Sequence, residues 1–115
     1  MAVRTIWGMT MAVLRVCYKP GVRFDEAYYL TRHLPLAESV IGPHGLIGVE
    51  VVKVNATADG STPPYQLMFT AHFASEAALR NALQDPQMPQ VMNDVRNFYG
   101  GVPDILTGEV VPVPA

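Results

Sequence analysis

Charged side chains are scarce in this sequence: Asp, Glu, Lys and Arg make up 16% of its 115 residues, where soluble domains average about 25%. A surface so short of charge points to part of it being covered by a second copy of the chain. The basic residues are scattered (Arg4, Arg15, Lys19, Arg23, Arg32, Lys53, Arg80, Arg96) and the formal net charge is −2. That leaves no basic patch of the kind nucleic-acid binders carry, so neither nucleic acid nor an acidic partner is expected. Cysteine is nearly absent. Cys17 alone cannot form an internal disulfide, which fits a reducing cytoplasm, and its place in an alternating apolar run makes it a small core or interface residue. Long apolar runs are missing as well, none approaching the ~20 residues of a membrane span. The opening "MAVRTIWGMTMAVLRV" is interrupted by Gly8 and Thr10 and has no small-x-small cleavage site, so no signal peptide is expected. Gly-x-Gly-x-x-Gly, Walker and nucleophile-elbow patterns do not occur. The three histidines lack close Cys, His or Glu spacing, so neither a preformed metal site nor a cofactor is expected.

What the chain does have is a regular succession of elements. Residues 11 to 19, "MAVLRVCYK", form a β-rich run closed by Pro20 and Gly21, preceded by a short extension over residues 1 to 9. A helix is predicted from about 24 to 41, with Asp25 and Glu26 at its amino end, where exposed amides favour acids. "GPHG" at 42 to 45 stops it, and His44 reads as a solvated turn residue. "LIGVEVVKVNA" at 46 to 56 is a second strand, "TADGSTPP" a loop, and "YQLMFTAHF" at 65 to 73 a third strand. Phe69 lies on one face of that third strand and His72 on the other. Ser75 caps a second helix whose stripe is Ala78, Leu79, Ala82 and Leu83. Pro86 and Pro89 interrupt it, and Met88, Val91, Met92, Val95, Phe98 and Tyr99 continue at helical spacing. After the Gly100–Gly101 stop comes the last strand, "VPDILTGEVVPV". Strand, helix, strand, strand, helix, strand in one domain of 115 residues is the α+β, ferredoxin-like split βαβ plan, with a four-stranded antiparallel sheet.

The segment "FDEAYYLTRHLPLAESV" at 24 to 40 carries the chemistry. Tyr29 and His33 lie four residues apart, hence on one side of a helix. Pro35 has no amide proton, its ring presses on the carbonyl of Thr31, and it pushes Leu34 from helical angles, so a kink or restart is expected beside the histidine. His33 has two readings: a satisfied buried imidazole that fixes the break, or an acid/base group facing a pocket. Tyr28 and Tyr29 are core aromatics or pocket lining in the same way. Leu36, Phe69, His72 and Met92 complete the candidate pocket wall. Met88 and Met92 supply adaptable apolar surface there, although core filling is the commoner use of methionine.

A four-stranded sheet with helices on one face leaves the other bare. Both alternating sets of strand one (Met11, Val13, Cys17; Ala12, Leu14, Val16) are apolar, and strand two has Leu46, Val52 and Val54 opposing Ile47, Val49 and Val51. Burial of both faces is implied, which predicts a homodimer packed sheet to sheet and closing into a barrel. Arg15, mid-strand among apolar neighbours, then needs a mate, and Glu50 on the second strand is available.

The pieces "YKPGVRFDEAYYLTRHLPLAESVIG", "GLIGVEVV" and "PYQLMFTAHFASEAALRNAL" resemble the EthD family, named for a protein of ethyl tert-butyl ether degradation, within the dimeric α+β barrel superfamily. The resemblance runs from about Met11 to Val111. Its core is a strand, "KPG", a tyrosine-bearing helix and His-x-Pro-Leu. By that resemblance His33 matches the family's helix histidine, Tyr29 a lining aromatic, and Pro35 and Leu36 complete the motif. Relatives include a lactone methyl-isomerase, polyketide-tailoring enzymes and cofactor-independent monooxygenases. Haem-degrading members of the superfamily use a second-helix histidine that "SEAALRNALQDPQMPQVMNDVRNF" does not contain. The resemblance therefore implies a small, hydrophobic-ligand protein in one of two roles: an isomerase, elimination or cofactor-free oxidation enzyme with catalytic His33 and Tyr29, or a non-catalytic accessory to a separate oxygenase. A third reading is an assembly domain without a pocket.

Overall fold

The computed structural model describes residues 10–114, so the expected extension over residues 1–9 lies outside the described residues. Four strands form one antiparallel sheet: β1 (Ala12–Tyr18), β2 (Leu46–Lys53), β3 (Leu67–Phe73) and β4 (Asp104–Glu109), in the spatial order β2-β3-β1-β4. That is the ferredoxin-like arrangement of an α+β chain. It puts β1, whose two faces are both apolar, in the sheet interior, paired with β3 from Ala12↔Phe73 to Tyr18↔Leu67 and with β4 from Ala12↔Glu109 to Cys17↔Asp104. The outer strands are shorter than their β-rich sequences. β4 is bounded by Pro103 and Pro112, which have no amide to donate, and β2 stops at Lys53 before the turn-rich loop.

Helices cover one face. The chain leaves β1 through a turn at Gly21 and enters α1 (Glu26–Tyr28), whose amino end is capped by the Asp25 carboxylate accepting from the Tyr28 amide at 3.0 Å. A wide π-helical turn, Tyr29–His33, comes next, with the Leu34 amide donating to the Tyr29 carbonyl, and the segment continues as α2 (Leu34–Ile41). The expected break beside His33 thus takes the form of one extra residue in the turn. Pro35, in the first turn of α2, offers no N–H and crowds the carbonyl four residues back, and widening the helix relieves both conflicts without a sharp bend. Beyond β3, Ser75 caps α3 (Glu76–Leu83) by accepting from the Ala78 amide at 3.1 Å. α4 (Met88–Asp94) then runs into a single 3₁₀ turn, Val95–Asn97.

The core lies between helices and sheet. Ala12 and Leu14 of β1, Phe69, Ala71 and Phe73 of β3, Ile41 of α2, and Leu79 and Ala82 of α3 form one buried cluster. An aromatic cluster of Tyr18, Tyr29, Phe98 and Tyr99 with Leu67 forms another. A backbone clamp sets the relation of the two halves: the Asp25 amide donates to the Phe98 carbonyl at 2.7 Å and the Gly100 amide to the Arg23 carbonyl at 2.9 Å. Gly45, at φ +74°, turns the chain from α2 to β2, and a Cβ there would meet that of Ala78 at 3.1 Å.

Two details depart from the sequence-based expectations. A bulge between Leu46 and Gly48 shifts the alternation of β2, so Leu46 joins Val51 against the core, while Gly48, Glu50 and Val52 share the far face with His72, Thr70 and Met68. Arg15 and Glu50 do not pair within the chain. The register is Arg15↔Thr70↔Glu50, placing them two strand spacings apart, roughly 9–10 Å. The Arg15 Nε donates instead to Thr70 Oγ1 at 3.1 Å.

Candidate active site

An imidazole withdrawn from water needs partners, and the His33 side chain retains only 6% of its surface. Its Nδ1 lies 2.9 Å from Oδ2 of Asp94, the last residue of α4, brought over α1 by the clamp between Asp25 and Phe98. The other carboxylate oxygen, Oδ1, accepts from the Tyr28 hydroxyl at 2.7 Å and from Asn97 Nδ2 at 2.9 Å. Burial alone would raise the Asp94 carboxyl, but hydrogen bonds from Tyr28, Asn97 and His33 more than offset it and hold the group below the ordinary carboxylate value. An ionised carboxylate only accepts, so Nδ1 carries a proton. For His33 the balance runs the other way: burial lowers its pKa, outweighing the upward pull of Asp94. The ring is therefore neutral near pH 7 and its Nε2 holds a lone pair. Nε2 has no hydrogen-bond partner among the described residues, yet no sealed side-chain nitrogen there lacks one, so Nε2 borders open space.

The open space beside the His33 ring is a cavity of about 70 Å³. The sheet contributes Leu14, Val16, Tyr18, Phe69 and Ile105, and the helices contribute Tyr29, Leu34, Ala37, Ile41, Leu83, Met88, Val91 and Met92, with Pro103 at one edge. Apart from the imidazole, two phenols and the thioethers of Met88 and Met92, the side chains of the wall are hydrocarbon. Tyr29 stacks on His33 with centroids 5.6 Å apart and planes at 22°, and Tyr18 meets Tyr29 edge-on at 5.6 Å. Burial drives both phenol pKa values well above normal, so both rings keep their protons. Leu83, Met92 and Ile105 are 37, 47 and 41% exposed and mark the mouth. The hollow holds roughly two waters at about 30 Å³ each, against the ~300–1,000 Å³ of formed ligand pockets. Met88 and Met92, whose unbranched thioethers adapt readily, form part of its wall.

The residues singled out from sequence divide in two. His33, Tyr29, Phe69 and Met92 lie on the cavity wall; Tyr28, Leu36 and His72 do not. Tyr28 lies outside, stacked on Phe98 at 6.3 Å with its hydroxyl on Asp94. Leu36 packs against Ala37, Val40 and Val91, because the extra residue of the π turn rotates the rest of the helix by about 100° and brings Leu34, Ala37 and Ile41 to the cavity instead. His72 sits on the far sheet face opposite Val13, as strand alternation from Phe73 requires. Asp94 and Asn97 are the members sequence reasoning passed over. The signal was an acid three residues after Val91 and four before Phe98, inside an otherwise apolar helical stripe. Among the described residues no group of three or more His, Cys, Asp or Glu side chains is placed to hold a metal ion.

Solved structures share this architecture. An EthD-like protein of Ralstonia eutropha JMP134 superposes with a TM-score of 0.78 at 27% identity, covering 90% of this chain and 94% of its own. An EthD family protein of Bacillus halodurans C-125 gives 0.68 at 20% identity, over 90% and 100%. SnoaB of Streptomyces nogalater, a cofactor-independent oxygenase, gives 0.60 at 12% identity, over 92% and 94%. No curated protein sequence matches. The sequence model of the EthD domain matches residues 22–101, from the turn before α1 through the Gly100–Gly101 stop. The chain belongs to the EthD family.

Proposed function

We propose that this EthD-family chain is a small-molecule enzyme that removes a proton from a largely hydrophobic substrate, with His33 as general base and Tyr29 orienting the reacting group. The observation that carries the reading is a buried imidazole on the wall of an apolar cavity, with its Nδ1 held by Asp94 at 2.9 Å. Proton transfer to Nε2 creates an imidazolium, and Asp94 stabilises it where water cannot. The anion left on the substrate is met by the protonated phenol of Tyr29 as hydrogen-bond donor, its oxygen in turn accepting from the Tyr18 hydroxyl. Isomerisation, elimination and cofactor-free oxidation all begin with such a step. SnoaB is an oxygenase of the last kind, but a likeness at 12% identity carries the fold alone, so the three reactions stand together.

A non-catalytic role, holding a metabolite for a separate oxygenase, is the second reading, favoured by the small volume of the cavity. The same proposal includes a cytoplasmic location and a homodimer through the bare sheet face, where Val52 and Leu106 are 44 and 52% exposed in one chain. Incubation with a panel of lactones, hydroxyquinones and anthrones tests it. Consumption of one of them, lost in His33→Ala with the circular dichroism spectrum unchanged, supports catalysis. Tight binding without consumption assigns the accessory role, and neither binding nor consumption across the panel overturns both.

A further inference from the structure

The apolar cavity shares two wall residues with a second hollow. Met92 and Pro103, at its edge, also border a groove of about 470 Å³ between the loop before α1 and the chain after the 3₁₀ turn. Two guanidiniums, Arg23 and Arg96, line that groove, and no carboxylate does. Both are steadied by neutral oxygens: Arg23 Nη2 donates to the Arg96 carbonyl at 2.8 Å, and Arg96 Nε donates to the Asn93 carbonyl at 3.3 Å, with a further contact to Asn93 Oδ1. With the Asn97 carbonyl accepting from Arg23 Nη1 at 3.4 Å, those oxygens use two of the five donors on each guanidinium, and none of them is a carboxylate. Lys19, Lys53 and Arg80 each have a carboxylate within 4.0 Å, whereas among the described residues Arg15 and Arg32, like Arg23 and Arg96, do not. Two like charges beside one groove repel each other, and a chain of net charge −2 has acids to spare for them. A Cβ at Gly101 would lie 3.0 Å from the Tyr99 hydroxyl, so a larger residue there would crowd the groove floor.

We infer that the substrate is an amphiphilic carboxylate, its apolar body in the cavity beside His33 and its carboxylate in the outer groove between Arg23 and Arg96. The inference rests on the reading of the cavity as the binding site and adds the class of molecule that fits it. A carboxylate there is within the chemistry of guanidinium forks, and the exposure of both arginines keeps its contribution modest.

Isothermal titration with a matched pair, 5-phenylpentanoate and its uncharged amide, tests the assignment at low and high salt. The acid is expected to bind about fivefold more tightly than the amide at low ionic strength, the margin shrinking as salt is added. In Arg96→Met, and in the Arg23→Met/Arg96→Met double variant, the margin should disappear while amide affinity stays as in the parent protein. Arg96→Met alone leaves the Arg23 contacts to backbone in place, so it reports on charge without disturbing the clamp. Amide binding with no advantage for the acid, or an advantage that survives in the double variant, overturns the carboxylate assignment and leaves the cavity reading standing. Failure of both probes to bind overturns the two together.

Discussion

His33 is buried with one nitrogen committed to Asp94 and the other without a hydrogen-bond partner among the described residues. The commitment is enforced by Asp94, whose second oxygen is already taken by Tyr28 and Asn97. Asp94→Asn is therefore a sharp test. With the new carbonyl retained by the two donors Tyr28 and Asn97, the amide NH₂ faces Nδ1, which must then accept, and the ring proton moves to Nε2. The base is lost without removing the histidine, and turnover should fall on the order of 10²-fold or more with KM little changed. An unchanged kcat in that variant contradicts the role given to Asp94. The same residue predicts an acid sensitivity. His33 has a folded pKa below the ordinary histidine value of 6.5, because burial disfavours the charged ring. The unfolded chain then binds a proton that the folded chain does not, and stability must fall as pH drops from about 6.5 through the lower folded pKa. Urea melts of the parent and His33→Gln between pH 7.5 and 5 should show that loss in the parent only. Parallel curves contradict it.

At the scale of elements, the order of strands and helices was legible because β-branched alternation, the Ser75 and Asp25 caps and the glycine stops are local signals, and the structure places each within a few residues. Register was less so. The bulge at Leu46–Gly48 leaves no mark on composition, and it decided which β2 side chains meet the core. The site was half legible: the four-residue step from Tyr29 to His33 brought both to the cavity, whereas Asp94 comes from a segment sixty residues away whose approach depends on the Arg23–Asp25 clamp. Pro35 shows how a local rule had a longer consequence, the widened turn that swaps Leu36 for Leu34 on the wall. Restoring the amide with Pro35→Ala lets the turn relax to a regular α-helix. The fold should persist, with melting temperature within a few degrees of the parent, while ligand affinity drops about tenfold as Leu34, Ala37 and Ile41 rotate off the cavity wall next to His33. Chemical-shift perturbation confined to residues 27–40 and the cavity wall is the expected signature; unchanged ligand affinity would contradict this role for the turn.

The whole molecule has helices on one side of its sheet and, on the other, an uncovered face in which apolar side chains flank Arg15, Glu50, Thr70 and His72. Val13, Cys17, Met68, Val52 and Leu106 surround the Arg15–Thr70 contact on that face. Burial of such a face gains about 25 cal/mol per Å², which is the basis for the proposed dimer. Leu106→Glu, on an edge strand and away from the cavity, should shift sedimentation from the dimer to the monomer at micromolar concentration. A parent protein that already sediments as a monomer contradicts the proposal. The cavity wall comes from both halves of one chain, so the resting state of His33 is expected to survive in that monomer. The most direct test of the site is the ¹⁵N spectrum of the imidazole itself at pH 7 in selectively labelled protein. A neutral His33 with its proton on Nδ1 and an unprotonated Nε2 is the predicted result; a ring protonated on both nitrogens, or on Nε2 alone, contradicts it.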